Sequence, residues 1–441
     1  MADGEINRNG ATIRIDDDGG VQVEPADGQE VEYTGPDRGT DAIRDSVSTD
    51  DSTINQSYTD PTGYTQDRKL VGAKPIPTPT AYMSGPAHGE GGGAFRGATL
   101  SPDGRVVFAP NDSSNVGIFD PSDNSYTSGP AHGEGGGAFL GATLAPDGRV
   151  VFAPFNSSSV GIFDPSDNSY TSGPAHGEGG GAFFGATLAP DGRVVFAPFD
   201  SSSVGIFDPS DNSYTSGPAH GEGGRAFIGA TLSPDGRVVF APFDSSNVGI
   251  FDPSDNSYTS GPTHGEGSSA FLGATLSPDG RVVFAANDSS NVGIFDPSDG
   301  SYTSGPAHGE GGRAFIGAML APDGRVVFAP RDSSNVGIFD PSDNSYTSGP
   351  AHGEGGGAFF GATLSPDGRV VFAPNNSSSV GIFDPGDNSY TSGPAHGEGS
   401  SAFIGATLSP DGRVVFAPFN SSNVGITSQL LDFAVANGGN K

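Results

Sequence analysis

The chain has 441 residues, of which 33% are apolar, and its 52 acidic side chains against 20 basic ones give a net charge of −32. A nucleic-acid ligand is not expected, because phosphate binding needs a basic face. Cysteine is absent, which excludes disulfides, thiol nucleophiles and cysteine metal sites. No apolar run approaches the roughly 20 residues of a membrane span, and residues 1–5 show no secretory signal.

The acidic excess consists mainly of aspartate, with 40 Asp and 12 Glu against only three lysines. This balance is typical of a protein adapted to molar salt, where the Debye length falls to about 3 Å and exposed carboxylates repel one another little. An ordinary acidic extracellular protein is the alternative. The composition favours the protein of a halophile.

Residues 1–73 differ in pattern from the rest of the chain. Three short segments alternate apolar and polar residues as strands do, namely Thr12–Ile15, Val21–Val23 and Val31–Tyr33. From residue 35 to residue 65 the sequence is polar. Because so small a segment does not bury a core of its own, we expect it to be an anchor that docks on a larger assembly, either a virion or a cell surface.

Proline and repeat content set the remaining boundaries. Residues 74–80 (KPIPTPT) are predicted to form a stiff, extended linker. Repeats fill residues 81–427, and residues 428–441 form a C-terminal tail.

A unit of 44 residues recurs eight times with few changes. A repeat of this length indicates an array in which no unit buries its own apolar face, so neighbouring units must stack. Such an array repeats each of its surface groups, which suits multivalent binding better than a single catalytic centre. Each unit is marked by one histidine: His88, His132, His176, His220, His264, His308, His352 and His396.

One unit, starting at residue 94, contains four predicted strands. A Pro-Asp-Gly turn joins the first two strands, and Gly104 supplies the left-handed residue of that hairpin. Gly97 and Ala98 are small enough for a first strand that lies at a crowded axis. The predicted strands are Phe95–Leu100, Arg105–Ala109, Val116–Phe119 and Ser125–Ser128.

The turn before the fourth strand contains an internal test of backbone conformation. Asn124 of the first unit is replaced by Gly300 in the fifth unit. Asn and Gly exchange where the backbone needs a positive φ, so we expect a left-handed residue at this position.

Four antiparallel strands per unit predict a β-propeller blade, and eight units predict an all-β, eight-bladed propeller. The repeat resembles the YVTN/NHL-type propeller repeat family in residues 97–106 (GATLSPDGRV) and 115–120 (NVGIFD). The resemblance covers residues 81–427 and lacks the WD dipeptide of the WD40 class. It implies the propeller fold and very little about function.

The eighth unit breaks off after Ile426, before its fourth strand. A matching fragment, Tyr82–Pro86, precedes the first unit. Its addition to the eighth blade would join both ends of the array and leave no unpaired sheet edge. The competing prediction is that Leu430–Val435 folds back as the missing strand.

The first candidate site is the His-Gly-Glu-Gly loop between consecutive blades, which in propellers lies on the face around the channel mouth. The functional interpretation is a polar ring that contacts a ligand, or a metal site of imidazoles and carboxylates. The structural interpretation is that each His hydrogen-bonds backbone between adjacent blades while each Glu is solvated. One His per blade spreads metal ligands around a ring, so we expect no metal. The candidates are His88, Glu90, His132, Glu134, His176, Glu178, His220, Glu222, His264, Glu266, His308, Glu310, His352, Glu354, His396 and Glu398.

The second candidate site comprises the positions at which the blades differ. Exposed rings near Asn, Asp and Ser suit sugar stacking and hydroxyl hydrogen bonds, so Phe155, Phe199, Phe243, Phe419 and Arg331 are ligand candidates. The alternative is that these rings pack between blades. One set of positions lies in the innermost strand: Arg96, Leu140, Phe184, Ile228, Leu272, Ile316, Phe360 and Ile404. The other begins the loop after the second strand: Asn111, Phe155, Phe199, Phe243, Asn287, Arg331, Asn375 and Phe419.

These features predict a non-enzymatic recognition protein with no catalytic residue and no cofactor. We expect a virion protein of a virus of halophilic archaea, such as a tail fibre, spike or capsid decoration. Residues 1–73 would dock on the particle, the propeller face would bind a host surface glycan or glycoprotein, and self-association is a further expectation. The alternatives are a propeller enzyme of the lactonase or lyase type, or a protein-binding scaffold in the cytoplasm or on the surface of a halophile.

Overall fold

The computed structural model describes residues 82–427 throughout and, before them, six strands between residues 4 and 71. The other residues lie outside the described part of the chain. By its contacts the chain divides into two compact units, Met1–Pro79 with Leu431–Lys441, and Thr80–Leu430.

The described part of the first unit consists of strands. The first four strands form an antiparallel sheet in chain order, and the last two form a separate antiparallel pair. The three predicted strands are present, whereas the first, fifth and sixth were not predicted, because their residues lack a clear apolar alternation. The strands are β1 (Gly4–Arg8), β2 (Ala11–Ile15), β3 (Val21–Glu24), β4 (Val31–Tyr33), β5 (Thr53–Thr59) and β6 (Thr65–Val71).

The second unit is an eight-bladed β-propeller, as the repeats predict, and residues 82–427 contain no helix. Each blade is a four-stranded antiparallel sheet. The innermost strands of blades 1 to 8 are β8 (Phe95–Leu100), β12 (Phe139–Leu144), β16 (Phe183–Leu188), β20 (Phe227–Leu232), β24 (Phe271–Leu276), β28 (Phe315–Leu320), β32 (Phe359–Leu364) and β36 (Phe403–Leu408). The second strands are β9 (Val106–Pro110), β13 (Val150–Pro154), β17 (Val194–Pro198), β21 (Val238–Pro242), β25 (Val282–Ala286), β29 (Val326–Pro330), β33 (Val370–Pro374) and β37 (Val414–Pro418).

The outer half of each blade follows the same order. The third strands are β10 (Asn115–Asp120), β14 (Ser159–Asp164), β18 (Ser203–Asp208), β22 (Asn247–Asp252), β26 (Asn291–Asp296), β30 (Asn335–Asp340), β34 (Ser379–Asp384) and β38 (Asn423–Thr427). The outermost strands are β11 (Ser125–Ala131), β15 (Ser169–Ala175), β19 (Ser213–Ala219), β23 (Ser257–Thr263), β27 (Ser301–Ala307), β31 (Ser345–Ala351), β35 (Ser389–Ala395) and, in blade 8, β7 (Tyr82–Ala87).

Two tight turns per blade have the conformations that their residues predict. Gly104 has a φ of 88° and donates its N–H to Ser101 O (3.0 Å). Asn124 has a φ of 58° and Gly300 a φ of 71°, which confirms the left-handed position in the second turn. Both turns lie at the same end of the sheets, and we name this surface, formed by residues 101–105, 120–124 and their equivalents, the turn face.

The hydrophobic core lies between neighbouring blades. In one cluster Val151, Val160 and Ile162 of blade 2 pack on Phe183 and Phe196 of blade 3, and all five side chains are buried. Full burial of such a side chain contributes about 1.5–3 kcal/mol. A single blade has no comparable interior, so each blade depends on its neighbours for stability.

Two glycines per blade permit this close packing. The ring of Phe183 covers Gly205, where an added Cβ would lie 2.6 Å from Cζ of that ring. In the innermost strand, a Cβ at Gly273 would lie 3.2 Å from Cα of Gly317 in the next blade. A larger residue at Gly205 would displace the Phe183 ring of its own blade. One at Gly273 would push two sheets apart, which agrees with the small residues predicted near the axis.

On the turn face of most blades, one arginine links the blade to the next one. Arg149 of blade 2 forms an ion pair with Asp147, with 2.5 Å between Nη2 and Oδ2. It also donates from Nη1 to Asn212 Oδ1 (2.6 Å) and from Nη2 to Pro209 O (2.6 Å), both in blade 3. We name this arrangement the arginine clamp.

The ring closes through the N-terminal strand of the propeller. β7 pairs with β38 in antiparallel register, so the first of the two alternatives for blade 8 is correct. Ile426 of blade 8 shares a buried cluster with Phe95 of blade 1, and the arginine clamp of Arg413 reaches Asn124 of blade 1. Leu430–Val435, the competing segment, lies outside the described residues.

The arginine clamp predicts a stabilising substitution. Arg237 donates to Pro297 O (2.7 Å), and the position that supplies an amide oxygen in other clamps is Gly300. Gly300→Asn restores that acceptor at a φ that Asn accepts, so we expect about 0.5–1.5 kcal/mol of added stability in urea unfolding. Asn344→Gly, which removes the acceptor of Arg281, is the matched control and should lower stability. Equal stability of both variants and wild type would show that the clamp contributes nothing.

Candidate functional site

Two sets of loops lie together at the end of the sheets opposite the turn face. At blade 4, Phe243 N–H donates to Ala226 O (2.8 Å) and Asp244 N–H donates to Arg225 O (3.1 Å). These backbone contacts recur in the other blades. They bring the His-Gly-Glu loops and the loops after the second strands to one surface, which we name the mouth face (residues 88–96, 111–114 and their equivalents).

Each candidate histidine is buried between two blades. His220 Nε2 lies 2.7 Å from Ser201 O of blade 3, and Glu222 N–H donates to His220 Nδ1 (3.1 Å). Because a carbonyl oxygen only accepts, Nε2 carries the proton. The ring contacts Phe227 and Tyr258 of blade 4 at centroid distances of 5.7 and 6.0 Å. Contacts at 2.6–2.8 Å to the equivalent carbonyl are made by His88, His132, His176, His264, His308, His352 and His396.

Both nitrogen atoms of these histidines are therefore bonded within the protein. This is the backbone contact between adjacent blades that the structural interpretation predicts. Contact with a ligand would require the loss of one of these hydrogen bonds, and such contact stays a prediction.

Each candidate glutamate is half-buried and bonded to the blade that follows it. Ser245 Oγ donates to Glu222 Oε2 (2.9 Å), as does Asn247 Nδ2 (3.1 Å). Tyr258 O–H donates to Glu222 Oε1 (3.3 Å). The expectation of a solvated Glu holds only in part, because the carboxylate is half-buried and protein donors supply some of its hydrogen bonds. Serine donors also reach Glu90, Glu134, Glu178, Glu266, Glu310, Glu354 and Glu398.

These contacts shift the pKa of Glu222. Burial acts to raise the pKa of Glu222, but its hydrogen bonds outweigh burial and leave the pKa below the ordinary value of 4.5. The donors are Ser260, Asn247, Ser245 and Tyr258. The ionised carboxylate is thus the form that the blade stabilises.

Four phenylalanines of blades 2, 3 and 4 form a continuous cluster on the mouth face, which we name the aromatic arc (Phe155, Phe184, Phe199 and Phe243). The ring centroids of Phe155 and Phe199 are 6.0 Å apart. Phe184 lies 6.2 Å from Phe155 and 5.8 Å from Phe199. Phe243 extends the cluster at 6.3 Å from Phe199. The variable positions of the innermost strand and of the loop therefore meet in space.

The expectation of four exposed phenylalanines needs correction. Phe155, Phe199 and Phe419 are half-buried, and Phe243 is buried with 8% exposure. Arg225 covers Phe243, with Cζ 4.9 Å from the ring centroid. Packing therefore buries Phe243 and part of each of the other three rings. The rest of their surface stays accessible.

Two arginines at variable positions lie over aromatic rings. Arg96 Cζ lies 5.8 Å from the ring centroid of Phe184 and 5.7 Å from that of Phe419. Arg331 Cζ lies 5.0 Å from the ring centroid of Phe360. Such cation–π contacts contribute about 0.5–2 kcal/mol each and fix the guanidinium groups at the mouth.

The asparagines of the second variable set are buried and donate to backbone carbonyls, in the loop before the first strand or, for Asn375, to Phe403 O of the next blade (3.3 Å). Asn111 Nδ2 donates to Gly93 O (2.8 Å), and Asn287 Nδ2 donates to Ser269 O (2.8 Å). Asn287 Oδ1 is buried with no partner among the described residues. The exposed polar groups beside the rings belong to the next residue in each loop, such as Asn156.

Sequence analysis missed a third set of variable positions on the mouth face. The position three residues after each Glu is glycine in four blades and Arg225, Ser269, Arg313 or Ser401 in the others. These four residues have φ between 51° and 56°, which costs a residue with a Cβ about 1–2 kcal/mol. Retained strain of this kind clusters at functional sites. An alignment of the eight copies on this glycine would have revealed the set.

The described residues contain no group of three or more His, Cys, Asp or Glu side chains arranged to hold a metal ion. In the same part of the chain, no helix has the length and apolarity needed to cross a membrane.

Comparison with known proteins gives the fold. The sequence matches no protein-family model. None of the curated proteins matches it either. Among solved structures it is similar to a streptogramin B lyase, with 15% identity, a TM-score of 0.56, and coverage of 78% of this chain and 96% of the lyase. A computationally designed protein, Ika8, has 15% identity, a TM-score of 0.60, and coverage of 78% and 98%.

The Dos1 propeller is similar at 13% identity with a TM-score of 0.56, over 79% of this chain and 94% of that one. At these identities the likeness shows the propeller fold alone. Because the three structures include an enzyme and a designed protein, the shared fold does not indicate a shared activity.

The glutamate contacts predict a pH-dependent stability difference. At neutral pH, Glu222→Gln loses charge-assisted hydrogen bonds. Its free energy of unfolding should therefore be about 1–2 kcal/mol lower than that of the wild type. The lowered pKa stabilises the fold above the ordinary Glu pKa, and this contribution is lost as pH falls through the folded-state pKa. Urea unfolding at neutral pH and near pH 4 should therefore show the difference shrinking in acid. A difference that grows or stays constant would contradict the assignment.

Proposed function

We propose that this chain is a non-enzymatic recognition protein whose mouth face binds a glycan or glycoprotein. The contrast between repeated and variable residues supports this most directly. The repeated His, Glu and Ser side chains of the mouth face bond one another and the backbone. Several of the residues that differ between blades, by contrast, keep part of their surface accessible at the mouth, namely Phe155, Phe199, Phe419, Arg96 and Arg331.

The chemistry of the variable residues suits a sugar. Phe155, Phe199 and Phe419 keep accessible ring surface, on which the C–H faces of a sugar can stack. Exposed Asn156 and Asp200 directly follow two of these rings and can bond sugar hydroxyls. Aromatic stacking next to amide and carboxylate groups is a combination that a purely structural surface does not require.

The mouth is a composite site. Its rings belong to blades 8, 2 and 3, whereas blades 1, 5 and 7 carry buried asparagines at the same loop position. The variable residues therefore do not form eight equivalent sites on one propeller. We propose that multivalent attachment comes from several copies of the chain on one particle.

A catalytic role is the weaker candidate. The histidines, which are the side chains best suited to proton transfer near neutral pH, have both ring nitrogens bonded inside the protein. The similarity to a lyase is one of fold at 15% identity. Neither observation identifies a reacting group, so we propose that the chain is not an enzyme.

We place this recognition on the virion of a virus that infects a halophilic host. The support is compositional: 40 Asp residues, three Lys residues and a net charge of −32 suit molar salt. The sheet and hairpin of the first unit would supply the attachment to the particle. A cell-surface location in a halophile is the alternative that the same composition allows.

Replacement of two rings tests the recognition site. Phe155→Asn and Phe199→Asn introduce the residue that blades 1, 5 and 7 carry at this position, so the loop accommodates it. Loss of two stacking surfaces should weaken glycan binding about tenfold or more. Glycan-array binding and isothermal titration would measure the effect, and thermal unfolding would show that the fold is kept.

A substitution on the opposite face separates binding from stability. Asn256→Gly introduces the residue that blade 5 carries in the same turn and removes a clamp acceptor of Arg193. It should lower stability and leave glycan binding unchanged. Unchanged binding in the Phe variants, or equal losses in all three variants, would refute the mouth face as the binding site.

A further inference from the structure

We infer that the ligand of the mouth face is an acidic sugar, and that the guanidinium groups of Arg96 and Arg331 bind its carboxylate or sulfate groups. This inference rests on the proposed function and specifies its ligand class. It comes from the way the arginines of the propeller divide between two roles.

Residues 82–427 contain twelve arginines and no lysine. Eight arginines occupy the same position of the turn face, where each forms an ion pair with the aspartate two residues before it: Arg105, Arg149, Arg193, Arg237, Arg281, Arg325, Arg369 and Arg413. The other four, Arg96, Arg225, Arg313 and Arg331, all lie on the mouth face at positions where most blades have another residue. In a chain of net charge −32, positive charge outside the clamps of the propeller is thus confined to one surface.

Two of these four arginines already have acidic partners. Arg225 Nη1 lies 3.5 Å from Asp244 Oδ2, and Arg313 Nε lies 3.4 Å from Asp332 Oδ2. Both arginines are more than half exposed, so their charges are hydrated as well as paired. Their pairing explains them without a ligand.

Arg96 and Arg331 differ from the other ten. Within the described residues neither side chain has an ion pair or a hydrogen bond, and Arg331 Nε is buried without a partner. Both side chains are half-buried. A partly desolvated cation without an acceptor is costly, so its retention at a variable position indicates a partner that the protein alone does not supply.

The aromatic contacts prepare these two groups for an anion. Phe184 and Phe419 lie near Arg96, and Phe360 lies beneath Arg331. A guanidinium that rests its face on a ring keeps its N–H groups in its own plane, where a carboxylate or sulfate can accept two of them together. The same rings belong to the surface on which the sugar would stack.

The surrounding charges agree with this assignment. Burial lowers the pKa of Arg96, and Asp112 acts in the opposite direction. Burial and the nearby Arg313 lower the pKa of Arg331, and Asp332 and Asp288 oppose them. These directions mean that the local protein environment leaves each cation less stabilised than in water, which a bound anion would reverse.

The aspartates near these arginines accept hydrogen bonds from the backbone of neighbouring loops. Asp112 Oδ1 accepts from Gly137 N–H (2.8 Å), and Asp288 Oδ1 accepts from Arg313 N–H (2.9 Å). These contacts hold the His-Gly-Glu loops in place. The aspartates form no ion pair with Arg96 or Arg331. The two guanidinium groups therefore stay available to a ligand.

The test uses the full chain and matched pairs of oligosaccharides in isothermal titration. One pair is oligogalacturonate and its methyl ester, and the other is a sulfated galactan oligosaccharide and its unsulfated parent. Each pair shares its sugar backbone and differs at the acidic substituent, so the comparison tests the anionic group and distinguishes carboxylate from sulfate. We expect at least one acidic member to bind about tenfold or more tightly than its neutral partner.

The variants use residues that occur in other blades. Arg96→Leu copies blades 2 and 5, and Arg331→Asn copies blades 1, 5 and 7, so both should fold. Each should lose about tenfold of the affinity for the acidic member and little for the neutral one. The charge control, Arg237→Ala, removes one positive charge from the turn face, where no ligand is proposed, and should change neither affinity.

Four outcomes decide the matter. Preference for the acidic members that is lost in Arg96→Leu and Arg331→Asn supports the inference. Equal binding of acidic and neutral members, still dependent on Phe155 and Phe199, overturns the acidic ligand and leaves the proposed function intact. Equal losses of affinity in all three arginine variants would show that affinity depends on net charge alone. They would overturn the specific roles of Arg96 and Arg331. Binding of none of the oligosaccharides, or of an acidic protein in their place, would overturn both proposals.

Discussion

Each blade is stable only because its apolar faces are buried against two neighbouring blades. The phenylalanines of one sheet pack on the valines and isoleucine of the preceding sheet, and no blade has an interior of its own. A linear array would leave its two end faces open to water. Closure by β7, which completes blade 8 from the other end of the repeat array, removes both open faces at once.

Closure also determines what the repeated polar residues do. On the mouth face, His220 and Glu222 join blades 3 and 4 through hydrogen bonds to Ser201 and Ser245. On the turn face, arginine clamps join blades through contacts such as that of Arg149 with Asn212. The His, Glu and Arg side chains of these junctions recur in every blade because the junctions share one geometry, and the clamp acceptor varies only at Gly300 among the described residues. Recognition therefore falls to the residues that the junctions do not need.

The fold was predictable from sequence because its information is periodic and local. A strict 44-residue period, turn residues and strand patterns predicted the number of blades, and the predicted strand Phe95–Leu100 matches the observed one. The face shared by the two candidate loops also followed from the fold. What the candidate site contains was predicted only in part, since the aromatic and arginine positions were found but their surroundings were not.

The missing part is non-local. The clamp of Arg149 reaches partners 60 and 63 residues away, and a turn-forming Arg in the sequence gives no sign of them. Burial of Phe243 depends on Arg225, whose backbone is left-handed where other blades have glycine. The protein donors of Glu222 were missed for the same reason, because they lie in separate strands and loops.

The ring should keep its fold when the recognition surface is removed. A symmetrised chain would separate the two: positions 96, 184 and 360 become Leu and positions 155, 199, 331 and 419 become Asn, as in blade 5. Thermal unfolding and binding to the acidic and neutral oligosaccharides would be measured together. We expect an unfolding midpoint near that of the wild type and loss of all oligosaccharide binding. Retained binding, or collapse of the fold, would show that the ring and the recognition surface are not separable in this way.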